Sequence, residues 1–293
     1  MKTAWVFPGQ GSQHVGMGGD LLTHPGARDI LTEAERILGW SVAEVCAGPG
    51  ERLDRTLYTQ PALFTISVAL AQALMQTGEE PRAVAGHSLG EFAALWSAGV
   101  FDFATGLKLV EQRARLMDKQ QAGTMNALIG FERDQLERLC AERSDVVIAN
   151  DNHPTQVVIS GTPAAVAAVS EASKARRIVP LTVSGAFHSP LMTPAAEQFA
   201  VLLEKVHFAV ARVPVLSNTD PTTPTTDPAL LKAKLARQID HPVRWRETIL
   251  TLELLGITRL VEIGPGTVLT GLARKTVRSL QVHNVQDLSA LNL

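Results

Sequence analysis

Short apolar segments alternate with helical patterns along most of this chain, and this alternation restricts its possible folds more than any other feature. The segment Ala4–Phe7 predicts a buried strand, and apolar periodicity predicts helices at about 27–38 and 61–76. Further strands are predicted at 83–85, 214–217, 259–263 and 282–285. Because strands that alternate with helices build a mostly parallel sheet covered on both faces, we expect an α/β protein.

Residues 123–183 interrupt this alternation with a pattern of their own. The predicted elements are a strand at 124–129, a helix at 132–144, strands at 146–150 and 156–160, a helix at 162–174 and a strand at 178–183. The order βαββαβ is that of the ferredoxin-like split unit. We therefore expect a small subdomain of residues 122–187, inserted in a larger α/β body formed by residues 1–121 and 188–293.

Composition and charge exclude several classes of protein. The 293 residues are 45% hydrophobic and carry a formal net charge of −2, which argues against a disordered or nucleic-acid-binding chain. Cys46 and Cys140 are too far apart for a CxxC redox or zinc motif, and no metal site is predicted. No apolar run approaches the roughly 20 residues of a membrane helix. These features predict a cytoplasmic protein that does not bind membranes.

The segment Gly86-His87-Ser88-Leu89-Gly90 fits the pattern G-x-S-x-G between a predicted strand and a predicted helix. The small flanking residues permit a tight turn that projects the serine oxygen, and the N-terminus of the next helix favours a developing negative charge. The backbone N–H of Leu89 is a natural oxyanion donor. This context favours Ser88 as a nucleophile over a serine in an ordinary turn.

A serine nucleophile needs a base, and His188 is the candidate because it lies between a predicted strand and a predicted helix. A polar loop histidine without a catalytic role fits the sequence equally well. Asp220 and Asp240 are both possible as a third partner, and neither stands out.

Two further features are candidates for the same site. The Pro8–Gln13 loop follows the first strand, and its glycines let the backbone approach a ligand closely. It is either a simple turn or the source of a second oxyanion donor. Arg113 lies within a predicted helix, where an inward-facing guanidinium would bind a carboxylate-bearing acyl group. Taken alone, the sequence favours the alternative that Arg113 and Arg115 both lie on the surface.

Together these segments resemble the malonyl-CoA:acyl carrier protein transacylase family, which includes the acyltransferase domains of polyketide synthases. The resemblance covers nearly the whole chain. It is carried by Phe7–Gln13, Gly86–Glu91, Gly185–Ser189, Asn218, Arg237-Gln238 and Glu262–Gly266. It implies that the larger body is a hydrolase-like core with a mostly parallel sheet, and that the inserted unit is the family's ferredoxin-like subdomain.

The resemblance also implies catalytic roles. Ser88 would carry the acyl group as an ester, and His188 would act as its base. The backbone carbonyl of Gln238 would orient that histidine, so no third acidic residue would be needed. The backbone N–H groups of Gln10 and Leu89 would form the oxyanion hole.

Substrate-binding roles follow from the same resemblance. Arg113 would hold the free carboxylate of a malonyl group, which reverses its interpretation as a surface residue. The ring of Phe187 would leave little room for a 2-methyl branch on the acyl group. Met125 and Asn126 are both expected near the acyl pocket.

The implied reaction is ping-pong transfer of a malonyl group from malonyl-CoA to the phosphopantetheine thiol of an acyl carrier protein. It needs no tightly bound cofactor, and the enzyme is expected to be a monomer. The alternatives are an acyl thioester hydrolase, another acyl-CoA-specific acyltransferase of polyketide or malonate metabolism, and a carrier-docking module with a vestigial site. Two basic clusters are candidates for receiving an acidic carrier, namely Lys174, Arg176 and Arg177, and Arg274, Lys275 and Arg278.

Overall fold

The strands of this computed structural model, which describes residues 1–183 and 185–292, form two separate sheets. The strands are β1 (Thr3–Phe7), β2 (Ala83–Gly86), β3 (Thr124–Ile129), β4 (Val146–His153), β5 (Gln156–Gly161), β6 (Arg177–Pro180), β7 (Val215–Leu216), β8 (Arg259–Ile263) and β9 (Gln281–Val285). The first sheet has five strands and the second has four. The expected α/β architecture with two sheets is confirmed.

The five-stranded sheet has the order β7-β2-β1-β8-β9, and its paired strands all run parallel. Its central strands are fully buried and apolar, as expected for a sheet covered on both faces. Parallel strands bring their carboxyl ends to one edge, which is where such sheets collect a site. The segments that follow β1, β2 and β7 therefore lie side by side.

Helices cover the two sheets and connect their strands. They are α1 (Pro25–Leu38), α2 (Val42–Ala47), α3 (Gly50–Leu53), α4 (Thr56–Gln76), α5 (Gly90–Ser97), α6 (Phe103–Asp118), α7 (Arg133–Ala141), α8 (Pro163–Ala172), α9 (Thr193–Glu204), α10 (Pro228–Ala236), α11 (Trp245–Leu254) and α12 (Val268–Thr276). The sequence patterns missed α2 and α3, which are too short to show a helical period.

Helix α4 begins five residues before the start of the helix predicted at about 61–76. It extends from Thr56 to Gln76, with Pro61 inside it. With 21 residues it is long and apolar enough to cross a membrane, so the statement that no apolar run approaches that length is wrong. Most of its apolar stretch is buried inside the protein, where it packs against α1, α5 and α6. Its composition is that of a helix buried all round.

The second sheet belongs to the inserted unit, whose elements β3-α7-β4-β5-α8-β6 have the predicted order. Its strand order β4-β5-β3-β6 and antiparallel pairing are those of a ferredoxin-like fold. The boundaries of the unit at residues 122 and 187 stay a prediction. The last strand was expected at 178–183, but β6 ends at Pro180, and the N–H of Leu181 instead binds the carbonyl of Met125.

The inserted unit is held to the core by β4. Backbone hydrogen bonds join Ala149 and Asp151 to Val243, which precedes α11. The carboxylate of Asp151 accepts hydrogen bonds from Arg133 of the small subdomain and Arg246 of the core. These contacts fix one wall of the cleft that lies between the two sheets.

Candidate active site

Ser88 lies in the tight turn between β2 and α5, at the carboxyl edge of the parallel sheet. Its φ of +52° is a left-handed conformation that a non-glycine residue adopts only when its surroundings enforce it. Gly86 and Gly90 make the turn possible, because a Cβ on Gly86 would lie 1.9 Å from the carbonyl carbon of Gly90. A Cβ on Gly90 would lie 2.0 Å from the carbonyl oxygen of Phe7. The glycines of the motif thus allow the serine turn to pack against β1.

His188 lies beside this serine, with its Nε2 at 2.7 Å from Ser88 Oγ. Its Nδ1 lies 2.9 Å from the carbonyl oxygen of Gln238 and 3.1 Å from that of His241. Since carbonyl oxygens only accept hydrogen bonds, Nδ1 carries the proton and Nε2 is the acceptor for the serine hydroxyl. Neither of the two candidate aspartates contacts His188 within the described residues, and Asp240 binds Thr193 and His241 instead.

The surroundings keep this histidine neutral. Burial and the positive charge of Arg113 lower the pKa of His188 to about 3, although its bonds to the two carbonyls oppose the shift. The neutral imidazole therefore persists throughout the physiological pH range. An imidazole that is neutral at Nε2 can accept the proton of Ser88.

Two backbone N–H groups near Ser88 are available for an oxyanion. Within residues 1–183 and 185–292, the N–H groups of Gln10 and Leu89 have no acceptor. The N–H of Ser88 itself is already bound, because it donates to Asn218 Oδ1 at 2.6 Å. Leu89 immediately precedes α5, and Gln10 follows β1, which is the strand adjacent to β2. The side chain of Gln10 is held by Thr56 at the start of α4.

Arg113 is a buried residue of α6, with 1% of its surface exposed. Its Nη2 donates to Ser88 Oγ at 3.1 Å and to Gln238 Oε1 at 2.9 Å. Its Nη1 donates to Gln60 Oε1 at 2.7 Å. Burial lowers the pKa of Arg113 to about 9, while Glu91 opposes the shift, so the guanidinium stays charged at neutral pH. The surface alternative is therefore wrong for Arg113.

A cavity of about 80 Å³ opens beside Ser88. Phe187 and Met125 line it together with Arg113 and His188, as expected from the resemblance. Asn126 does not reach it. Side chains alternate along a strand, so β3 directs Asn126 to its other face, where the amide donates to Ser170 of α8 at 2.9 Å. The expectation that both neighbours lie at the acyl pocket is corrected for Asn126.

Three polar residues at the site had no predicted role. Gln60 of α4 and Glu91 of α5 are buried inside helices whose other residues are mostly apolar, so neither pattern marks them as polar contacts. Asn218 follows β7 and binds both sides of the serine turn, since its Nδ2 donates to the Gly86 carbonyl at 2.6 Å. For Glu91 and Asn218, their position in the matched motifs was the only signal, and Gln60 lies outside those motifs.

A wider cleft of about 570 Å³ leads to the serine turn from outside. Its walls are the Gly9–Gln13 loop, the start of α12 and the strands β4 and β5 of the inserted unit. His87 lines both spaces and is bound through Nε2 to Asn152 Oδ1 at 2.9 Å. No group of three or more His, Cys, Asp or Glu side chains that could hold a metal occurs within the described residues.

This fold and this geometry define a class of protein: an α/β enzyme in whose pocket a serine hydroxyl lies within hydrogen-bond distance of a histidine and of a buried guanidinium. The acyl transferase domain family matches residues 4–292. The chain therefore belongs to the acyl transferase family, and its resemblance to the malonyl-CoA:acyl carrier protein transacylases is confirmed.

Individual relatives cover the whole chain. The malonyl CoA-acyl carrier protein transacylase of Synechocystis sp. PCC 6803 is 52% identical over 292 residues, spanning 100% of this chain and 99% of the relative. Its crystal structure matches with a TM-score of 0.98. The transacylase of Escherichia coli K12 is 41% identical over 300 residues, which span 98% of this chain and 97% of the relative. A malonyl-transacylase solved in complex with its type II PKS acyl-carrier protein matches with a TM-score of 0.95 at 40% identity, covering 99% of this chain and 98% of that one.

Proposed function

We propose that this protein transfers a malonyl group from malonyl-CoA to the phosphopantetheine thiol of an acyl carrier protein, through a malonyl ester on Ser88. The observation that carries the proposal is the buried guanidinium of Arg113, which lies 3.1 Å from Ser88 Oγ. Its hydrogen bonds go to Gln60, Ser88 and Gln238, none of which is an anion, so a malonyl carboxylate would supply the direct counter-charge that a buried guanidinium requires. The names of the relatives supply the same substrate pair.

The first half-reaction loads the enzyme. His188 Nε2 takes the proton of Ser88 Oγ, and the oxygen attacks the thioester carbonyl of malonyl-CoA. The N–H groups of Gln10 and Leu89 hold the oxyanion of the tetrahedral intermediate. The C–S bond then breaks, His188 returns its proton to the CoA sulfur, and the malonyl group remains as an ester.

The charge of the acyl group assists the base. In the free enzyme, the Arg113 cation is the second cause of the low pKa of His188, after burial. A malonyl carboxylate bound to Arg113 cancels much of that charge. The pKa of His188 therefore rises when the correct substrate binds, and a neutral acyl group does not have this effect.

The second half-reaction unloads the enzyme. The carrier's thiol gives its proton to His188, its sulfur attacks the ester carbonyl, and the C–O bond to Ser88 breaks. The proton returns from His188 to Ser88 Oγ. Each half-reaction exchanges one acyl bond for another, so the proposed cycle needs neither a metal nor a redox cofactor.

A hydrolase would use the same groups with water as the acceptor, and one experiment separates the two functions. Malonylated enzyme is freed of CoA and then mixed either with holo-acyl carrier protein or with buffer. We expect rapid appearance of malonyl-carrier with the carrier, and slow release of malonate in buffer. Release of malonate at the same rate in both samples would identify a hydrolase.

Three expectations about the setting of this reaction stay predictions. The enzyme is expected to act in the cytoplasm and as a monomer. An acidic carrier is expected to approach a basic surface on the small subdomain or one near Arg274, Lys275 and Arg278. Both candidate clusters are exposed, namely Lys174, Arg176 and Arg177, and Arg274, Lys275 and Arg278.

A further inference from the structure

Glu91 is a buried carboxylate that the proposed cycle does not use. It lies in the first turn of α5, three residues after Ser88, with 1% of its surface exposed. Removal of a carboxylate from water is unfavourable unless donors surround it. Its contacts therefore indicate what the residue does.

One oxygen of Glu91 receives two hydrogen bonds. Oε2 accepts from the backbone N–H of Asn218 at 3.2 Å and from Gln238 Nε2 at 3.0 Å. The same Nε2 donates to the carbonyl of Ser88 at 2.6 Å. The other end of that amide, Oε1, accepts from Arg113 at 2.9 Å.

These contacts allow only one orientation of the Gln238 amide. In the opposite orientation, its oxygen would face the Glu91 carboxylate and the Ser88 carbonyl, and its NH₂ group would face the Arg113 cation. Two of these contacts would then bring two acceptors together, and the third would bring two donors together. Glu91 therefore acts on Arg113 through the amide between them.

We propose that Glu91 is a positioning residue, whose carboxylate orients the Gln238 amide so that Arg113 is held beside Ser88 for a carboxylate-bearing acyl group. This inference rests on the proposed function. It assigns the Gln238 side chain a task separate from that of its backbone carbonyl, which contacts His188. Burial raises the pKa of Glu91 and the charge of Arg113 opposes that rise, while Glu91 in turn opposes the lowering of the pKa of Arg113.

The test compares a charged and a neutral acyl donor on the same variants. In Glu91→Met the acceptor is lost at similar length, so Ser88 acylation by malonyl-CoA should slow about 30-fold or more. Acylation by 4-nitrophenyl acetate, followed as a nitrophenolate burst, should change by less than about fivefold, because Asn218 still holds the serine turn. Glu91→Gln keeps an acceptor oxygen and should restore the malonyl rate to within about fivefold of the wild type.

Two further variants separate positioning from folding. Glu262→Gln alters another fully buried glutamate, which accepts hydrogen bonds from backbone N–H groups at the start of α12. It should lower the unfolding temperature and change the acylation rates of both donors equally. Gln238→Met removes the amide itself and should also slow Ser88 acylation by malonyl-CoA about 30-fold or more, and it replaces Glu91→Met if that variant does not fold. Because Glu91 acts through Gln238, the double variant should lose no more than about threefold beyond Gln238→Met alone.

Equal losses for both donors, or losses that multiply in the double variant, would overturn the inference. Wild-type activity of Glu91→Met with malonyl-CoA would also overturn it. These outcomes differ from failure of the proposed function, in which the wild-type protein itself would form no malonyl adduct on Ser88.

Discussion

Arg113→Met removes the guanidinium from the acyl pocket and keeps a side chain of similar length in α6. A malonyl ester on Ser88 brings its carboxylate within a few bonds of the oxygen that lies 3.1 Å from Arg113 Nη2. At about 4 Å and an effective dielectric of about 20, the two charges attract by about 4 kcal/mol. Loss of one partner of a buried charge pair costs about 3–5 kcal/mol. Since each 1.4 kcal/mol corresponds to a tenfold change in the rate, kcat/KM for malonyl-CoA should fall by about 140- to 3700-fold.

A neutral acyl donor tests whether Ser88 and His188 still react in this variant. The substitution leaves the Ser88–His188 pair in place, and burial, which is the larger cause of the low pKa of His188, still keeps the imidazole neutral. Acylation by 4-nitrophenyl acetate should therefore stay within about threefold of the wild type.

The assay is a stopped-flow measurement of both donors on three proteins: wild type, Arg113→Met and the matched control Arg115→Met. Arg115 lies on the exposed side of the same helix and pairs with Glu111 at the surface, so its loss should leave both rates unchanged. An equal fall in the acylation rates with both donors in Arg113→Met would contradict this prediction, because it would show that the substitution disrupts the whole site. Undiminished malonyl transfer would refute it as well.

Three other predictions follow from the same geometry. Because the pKa of His188 is lowered to about 3, the 4-nitrophenyl acetate burst should stay constant from pH 8 down to about pH 5; an inflection near 6.5 would contradict this. Phe187→Ala opens the pocket wall, so the preference for malonyl-CoA over methylmalonyl-CoA should fall about tenfold in competition assays, and an unchanged ratio would assign the selection elsewhere. Charge reversal to Glu at both exposed basic clusters should slow transfer to the carrier protein about tenfold at low salt while loading from malonyl-CoA is unchanged; equal transfer rates would remove these clusters as the docking surface.

The sequence carried the main features of the fold because its elements are regular. The segments β1 and β2 are short and mostly apolar, and β1, β2 and β8 are each followed by a glycine-rich turn. The βαββαβ order is visible in the inserted unit. The errors lie where local signals conflict with packing. The sequence pattern starts this helix at about residue 61, whereas α4 starts at Thr56 and contains Pro61. Thr56 accepts a hydrogen bond from the side chain of Gln10, so the earlier start of α4 coincides with a tertiary contact to the Pro8–Gln13 loop.

The candidate nucleophile could be predicted from its own segment of sequence, whereas the residues that surround it could not. Ser88 and the Leu89 N–H follow from the turn alone, since strand, glycine spacing and helix point to one geometry. His188 and Arg113 depended on the family resemblance, because each was as well or better explained by a surface position. The buried contacts of Gln60 and Glu91 were not predicted, because only the folded chain brings α4, α5 and α6 together around one guanidinium.

The intact mass of the protein shows directly whether a carboxylate-bearing acyl group becomes attached to Ser88. Wild type and Ser88→Ala are each mixed with malonyl-CoA, acetyl-CoA and methylmalonyl-CoA, then quenched in acid. We predict a malonyl adduct on wild type alone, and little adduct with the other two donors. A malonyl adduct on Ser88→Ala, or an acetyl adduct that forms as readily as the malonyl one on wild type, would contradict the account.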